Sequence, residues 1–207
     1  MAGTPAHRPR VPRAEREAQM LEVAEEVFVA RGIQAATMDE IAEHVGVTKP
    51  LIYDYFGSKE GLLAASIEKG RRQLLSLIIE AWSEQPELPV RDRLRAVVLG
   101  FFRFIDEHER MFALLRTEGA LIGPAAESIE RIRQQTARAF GEGLRGLPAF
   151  AQLPAESLTG MTELLIGGCE RLAVSRVMSP GLTADEAADL VMTTIWDGLG
   201  SIASDAR

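Results

Sequence analysis

Apolar positions recur at spacings of three and four almost from end to end of the chain. Leu21, Ala24, Val27 and Phe28 fall on one helical face, and Arg71, Leu74, Leu75 and Ile78 form a similar stripe further on. Alternating, strand-like runs bounded by hairpin turns are absent, so the pattern predicts an all-α protein. Breakers divide it cleanly at Gly32, Gly46, Gly57, Pro86 to Pro89, Gly119 to Pro124, Gly146 to Pro154 and Ser179 to Gly181, leaving about nine helices. Start signals agree with these divisions. Thr37 with Glu40, and Thr183 with Glu186, have capping-box spacing, and Pro124 suits a first helical turn. Ser58 is positioned to cap a long helix running to about Glu84, roughly 40 Å at 1.5 Å per residue.

Residues 13–63 narrow to one arrangement. A helix over Arg13 to Arg31 precedes two short ones, Thr37 to Val45 and Lys49 to Tyr55, joined by a tight turn at Gly46-Val47, which is the helix-turn-helix pattern. Its expected core is Phe28, Ile33, Ile41, Ala42, Val45, Val47, Ile52, Phe56 and Leu62. The third helix then exposes Thr48, Lys49, Pro50, Leu51, Tyr53, Asp54 and Tyr55. Such a helix lies in the DNA major groove with its N-terminal residues at base edges, which makes Thr48, Lys49, Pro50, Tyr53 and Tyr55 candidate DNA contacts. Tyr53 and Tyr55 are the chain's two tyrosines, and their hydroxyls and flat rings suit phosphate, sugar and thymine-methyl contacts. Lys59, opening the next helix, is a candidate phosphate contact.

Charge sharpens this division. The 207 residues carry a formal net charge of −7, which argues against coating nucleic acid by bulk charge. Residues 1–16, however, hold four arginines and one glutamate. The expected organisation is a flexible basic arm over residues 1–12, a DNA-binding unit over 13–63 and a larger helical unit over 64–207. The longest apolar runs fall short of a membrane span, and no charged-then-apolar leader opens the chain, so a cytoplasmic protein without a membrane partner is expected.

Phe28, Gly32, Thr37, Ile41 and Ala42, then Gly46-Val47-Thr48, then Ile52-Tyr53-x-Tyr55-Phe56-x-Ser58-Lys59-x-x-Leu62, resemble the TetR family of bacterial transcriptional regulators. The resemblance covers roughly residues 13–63. It implies a homodimer that inserts its third helices into successive major grooves of palindromic double-stranded operator DNA, and adds Thr37 to the DNA contacts. It also implies a C-terminal pocket whose small-molecule occupant lowers DNA affinity, most simply in a repressor. Two residues depart from the family pattern. Asp54 stands where many members carry a basic or polar side chain, and Gly61 sits in the first turn of the long helix, where glycine costs about 1 kcal/mol relative to alanine and would loosen a hinge.

Residues 64–207 are rich in large apolar side chains, the usual lining of a small-molecule site. The candidate pocket residues are Trp82, Phe101, Phe104, Met111 and Phe112, with Leu115, Met161, Leu165, Met192 and Trp196. Taken singly, a large apolar residue at helical spacing is more often plain core. The effector expected there is hydrophobic or amphipathic, with Arg103, Arg116, Glu118 and Glu163 as polar groups near the apolar set. The last two helices, about Ala155 to Met178 and Thr183 to Ala203, carry several glycines, which suggests close backbone approach. In the resembled family these helices form the dimer interface, implying Leu164, Gly168, Leu172, Ile195, Leu199 and Ile202 there.

Other chemistry is not visible. Gly141 to Gly146 fits G-x-G-x-x-G literally, but a helix rather than a strand precedes it. His7, His44 and His108 show no metal-ligand spacing, Cys169 is the single cysteine, and no nucleophile elbow or P-loop occurs, so no metal, cofactor or catalytic residue is expected. A helical small-molecule carrier without DNA binding is the alternative reading, and a small all-α enzyme the more distant one.

Overall fold

A computed structural model of the chain describes residues 12–112, 124–148, 150–179, 181–196 and 198. Among the described residues are eight α-helices, one π-helical turn and no strand. The helices are α1 (Arg13–Arg31), α2 (Met38–Val45), α3 (Lys49–Phe56), α4 (Lys59–Ser83), α5 (Val90–Glu107), α6 (Pro124–Arg145), α7 (Ala155–Met178) and α8 (Ala184–Val191), followed by the π-helical turn Met192–Trp196. The chain divides into two compact units between Ser66 and Ile67. No helix among the described residues is long and apolar enough to cross a membrane. The basic arm expected over residues 1–12, apart from Pro12, lies outside the described residues.

In the first unit, Met20, Leu21, Ala24, Val27 and Phe28 of α1 pack with Ile41 and Ala42 of α2, Ile52 of α3 and Leu62 and Leu63 of α4 as its buried apolar residues. Val45, Val47 and Phe56, expected in that core, are only half-buried. Thr37 stands just outside α2 as its N-cap, its Oγ1 accepting the Glu40 N–H at 3.2 Å. The return half of a capping box is missing, because the Glu40 carboxylate is drawn to Arg31 Nε at 2.8 Å. At the other end, Gly46 takes the left-handed conformation (φ 75°, ψ 36°). Its N–H donates to Glu43 O at 3.1 Å and the Val47 N–H to Ala42 O at 3.0 Å, closing the helix and sending the chain into α3.

In the second unit the main core joins Leu94, Val98, Phe102 and Ile105 of α5 to Leu165, Cys169 and Ala173 of α7, and to Ala184, Ala187, Ala188 and Val191 of α8. A smaller cluster gathers Leu144, Phe150 and Leu158, with Trp82, Phe140 and Trp196 against it. Helices α6 and α7 run antiparallel: Arg133 reaches Glu170, and Gly141 lies opposite Thr162. Arg93 closes the end of α4, donating from Nε and Nη2 to Trp82 O at 3.0 and 2.7 Å while its guanidinium stacks 4.0 Å from the Trp82 ring. Thr183 and Glu186 complete the capping box that starts α8.

Two expectations change here. The last helix does not run unbroken from Thr183: α8 ends at Val191 and widens into the π-helical turn. The glycines of α7 do not mark close packing within the subunit either. A Cβ at Gly160 or Gly167 would meet nothing within 4 Å, and one at Gly168 only Ile195 Cδ1 at 3.8 Å.

Candidate nucleic-acid interface and apolar cavity

The αL turn at Gly46 delivers Thr48 to the N-cap position of α3 in extended conformation (φ −83°, ψ 143°), yet its side chain makes no capping bond. Pro50, within the first turn, removes one of the N–H groups that a helix start leaves unpaired. Thr48, Pro50, Tyr53 and Asp54 are exposed, and Tyr53 keeps 41% of its surface in solvent. Lys49 Nζ donates to Asp39 Oδ2 at 2.7 Å, and that bond holds the ammonium above the ordinary lysine value. The carboxylate of α2 thus fixes the cation at the mouth of α3. Tyr55 is half-buried, with the Arg13 guanidinium 4.6 Å from its ring centroid and the Phe56 ring 6.0 Å away. Thr37 is exposed at the start of α2.

Lys59 does not join this surface. Its ammonium donates to three backbone carbonyls in the turn after α1: Ile33 at 2.9 Å, Gln34 at 3.0 Å and Ala36 at 3.2 Å. An ammonium has three N–H donors, so the expected phosphate contact is replaced by a clamp between that turn and the start of α4. Replacing Lys59 with methionine is expected to cost about 2 kcal/mol of stability, the worth of hydrogen bonds to a charged donor, measured by urea unfolding. The salt dependence of DNA binding should stay unchanged, whereas loss of a phosphate contact would reduce its slope by about one per contact.

The second unit holds a cavity of about 400 Å³ between α4, α5, α6 and α7. Its walls are Leu74, Leu75, Ile78, Ile79 and Trp82 of α4, Val97, Val98 and Phe101 of α5, Ala139, Phe140, Gly143 and Leu144 of α6, and Leu165, Ile166 and Cys169 of α7. The polar lining is Gln135, Thr136 and the facing pair Arg133 and Glu170. Burial pushes the Cys169 thiol up to about 12.

Of the pocket residues expected from the sequence, Trp82, Phe101 and Leu165 line this cavity. Phe104 instead stacks on His108, ring centroids 4.1 Å apart. Met192 is fully buried in the main core, with Phe112 packed against it. Trp196 borders both cores, and Met111 and Met161 are half-buried away from the cavity lining. Leu115 lies outside the described residues. Arg103, expected near the apolar set, pairs with Asp185 at 3.3 Å instead. The charged groups that do line the cavity, Arg133 and Glu170, carry no signal in the sequence, where each is one ordinary charge on a helix. Phe140 was open to the aromatic reading that found Phe101.

Among the expected interface residues, Leu164 is 74% exposed and Gly168 is exposed, while Leu172 and Ile195 pack partly against their own core. Leu199 and Ile202 lie outside the described residues. No group of three or more His, Cys, Asp or Glu side chains that could hold a metal occurs among the described residues.

Two family models match. "Bacterial regulatory proteins, tetR family" covers residues 20–66, and "Tetracyclin repressor-like, C-terminal domain" covers residues 90–198. The HTH-type transcriptional activator FasR of Mycolicibacterium smegmatis is 42% identical over 106 residues, 51% of this chain and 48% of FasR. The chain thus aligns with about half the length of that curated relative. A TetR-like transcriptional regulator from Rhodococcus sp. RHA1 has a solved structure that superposes at TM-score 0.67 with 30% identity, covering 92% of this chain and 99% of that one. A transcriptional regulator from Pseudomonas aeruginosa PAO1 shares the fold at TM-score 0.77 with 18% identity, over 96% and 97% of the two chains.

Proposed function

The chain belongs to the TetR family of bacterial transcriptional regulators, and on that premise we propose that it is a homodimeric repressor released from palindromic operator DNA by a small-molecule effector. Regulators of this family bind operator DNA and typically dimerise and respond to small molecules. The observation that carries the proposal is the open face of α3. Thr48 is its N-cap and Lys49 and Pro50 stand in its first turn, where the helix start adds its own attraction for phosphate, with the exposed Tyr53 one turn further on. Thr37 and Tyr55 flank that face, Tyr55 steadied by Arg13.

Dimerisation is supported by α7, which carries large apolar residues on both sides. Leu165, Cys169 and Ala173 face its own core, while Leu164 and Met178 are each 74% exposed. Large apolar side chains left on the outer side of a helix suit it to being covered by a partner. Gly160 and Gly167, with nothing within 4 Å of where a Cβ would stand, leave room along that face for a second copy. Ligand binding in the cavity would shift the dimer toward a spacing of α3 helices that no longer matches grooves about 34 Å apart. The site of action is the cytoplasm, where operator DNA is. FasR bears the name of an activator, so the sign of regulation is read from a reporter gene placed behind the selected operator, with rising expression expected on deletion of the regulator.

Selection of bound duplexes from a random pool tests the reading. A two-fold symmetric consensus with half-sites about one helical turn apart is the expected result. Recovery of no enriched sequence at moderate salt would favour a carrier without DNA binding.

A further inference from the structure

We propose that the cavity takes an amphipathic cation, with an ammonium or amidinium head paired to Glu170 and an apolar body in the slot beyond. This rests on the effector reading only for its effect on DNA.

The argument begins with the unequal partners of the two charged groups in the lining. Arg133 Nε donates to Glu170 Oε2 at 3.1 Å, and Nη2 makes a second, closer bond to the same carboxylate. On its other side Arg133 Nη1 donates to Glu130 Oε2 at 3.1 Å, and Glu163 lies within electrostatic reach. The guanidinium therefore holds two carboxylates and feels a third. Glu170 has Arg133 as its one ion-pair partner among the described residues, and its side chain is two-thirds buried, with 32% exposed.

An incoming ligand charge has to displace one member of this pair. An anion that captured Arg133 would strand Glu170 at the edge of an apolar cavity without another cation, and an unpaired carboxylate there is costly. A cation that captured Glu170 would leave Arg133 still bonded to Glu130. The exchange also adds positive charge where Glu130, Glu163 and Glu170 all act on Arg133. Both considerations favour the cation.

The rest of the cavity fits the remainder of such a molecule. From Arg133 to Leu144 the lining follows α6 for about 16 Å at 1.5 Å per residue. The charged pair stands at one end, and Phe140, Leu144 and Trp82 at the other. The lining between them is mainly apolar, so one charged head is read and the body is held by burial.

The test uses the full chain and three probes of equal tail length, dodecylammonium, dodecanoate and dodecanol, the ions kept below their micelle concentrations and the alcohol below its solubility limit. Binding is followed by calorimetry and by the tryptophan fluorescence of the chain. The ammonium is expected to bind at least about tenfold tighter than either other probe, the worth of one charge-assisted contact. Glu170→Gln should erase that preference. Arg133→Gln should strengthen ammonium binding by removing the competitor for Glu170. Glu130→Gln, a change on the exposed surface, should weaken ammonium binding several-fold by removing the carboxylate that receives the displaced Arg133, an effect a merely structural pair would not produce. Tighter binding of dodecanoate, lost in Arg133→Gln, would overturn the proposal, as would equal binding of ammonium and alcohol. If the ammonium binds as described but leaves operator affinity unchanged, the cation site stands and the effector reading falls. Operator release by a molecule bound elsewhere, with no ammonium in the cavity, would do the reverse.

Discussion

Gly61→Ala is expected to destabilise the first unit by about 3 kcal/mol, at the upper end of what overpacking costs, measured as a fall in the urea midpoint at unchanged slope. A Cβ at this position would lie 2.0 Å from the carbonyl oxygen of Phe56 and 3.2 Å from its carbon. Those are backbone atoms, and the same oxygen accepts the Ser58 N–H at 2.9 Å, so relief requires opening the turn between α3 and α4. The Gly61 N–H donates to Ser58 Oγ at 3.0 Å, the cap of α4, so a shift there costs the cap as well. Gly70, further along α4, supplies the control. A Cβ there meets nothing within 4 Å, so Gly70→Ala should stabilise by about 1 kcal/mol through helix propensity alone. Opposite signs on one helix would separate close approach from propensity. Equal, stabilising effects would mean that the α3–α4 turn is not pinned where the structure has it.

The largest effect on DNA binding is expected from Tyr53→Ala. The side chain is among the most exposed large ones of α3, so its loss leaves the fold intact. A lost contact at the reading surface costs about 1–2 kcal/mol per subunit, and distant losses in the two halves of a dimer add. Operator affinity should therefore fall about 100-fold, read by fluorescence anisotropy at fixed salt, with the melting temperature unmoved. Tyr53→Phe, which removes only the hydroxyl, should lose about tenfold, since one hydrogen bond per subunit is at stake. An alanine variant that binds as the parent does would move the reading surface off this face of α3.

The first unit was largely legible because its signals are local. A glycine that must be left-handed, an N-cap threonine and a three-and-four apolar rhythm act within a few residues of one another, and each appears where its spacing predicts. Gly61 shows the limit of that logic. Propensity marks it as a weak point of α4, whereas the structure makes it a necessity imposed by a carbonyl five residues earlier. Lys59 fails for a related reason: its three acceptors lie more than twenty residues away in sequence, so an exposed-looking cation turns out to be fully occupied. In the second unit, distance in sequence dominates. Arg133 and Glu170 meet across 37 positions, and which face of an apolar helix looks into a void rather than a packed core depends on its neighbours. That is why Phe101 lines the cavity while Phe104, one turn on, stacks on a histidine.

The single thiol of the chain sits in that void's wall. Being protonated at neutral pH and shielded by its surroundings, it is inert to alkylating reagents while the wall stays shut, and it has no sibling whose labelling could be confused with its own. Covalent tagging kinetics at this one atom therefore clock how often the helices around the void part.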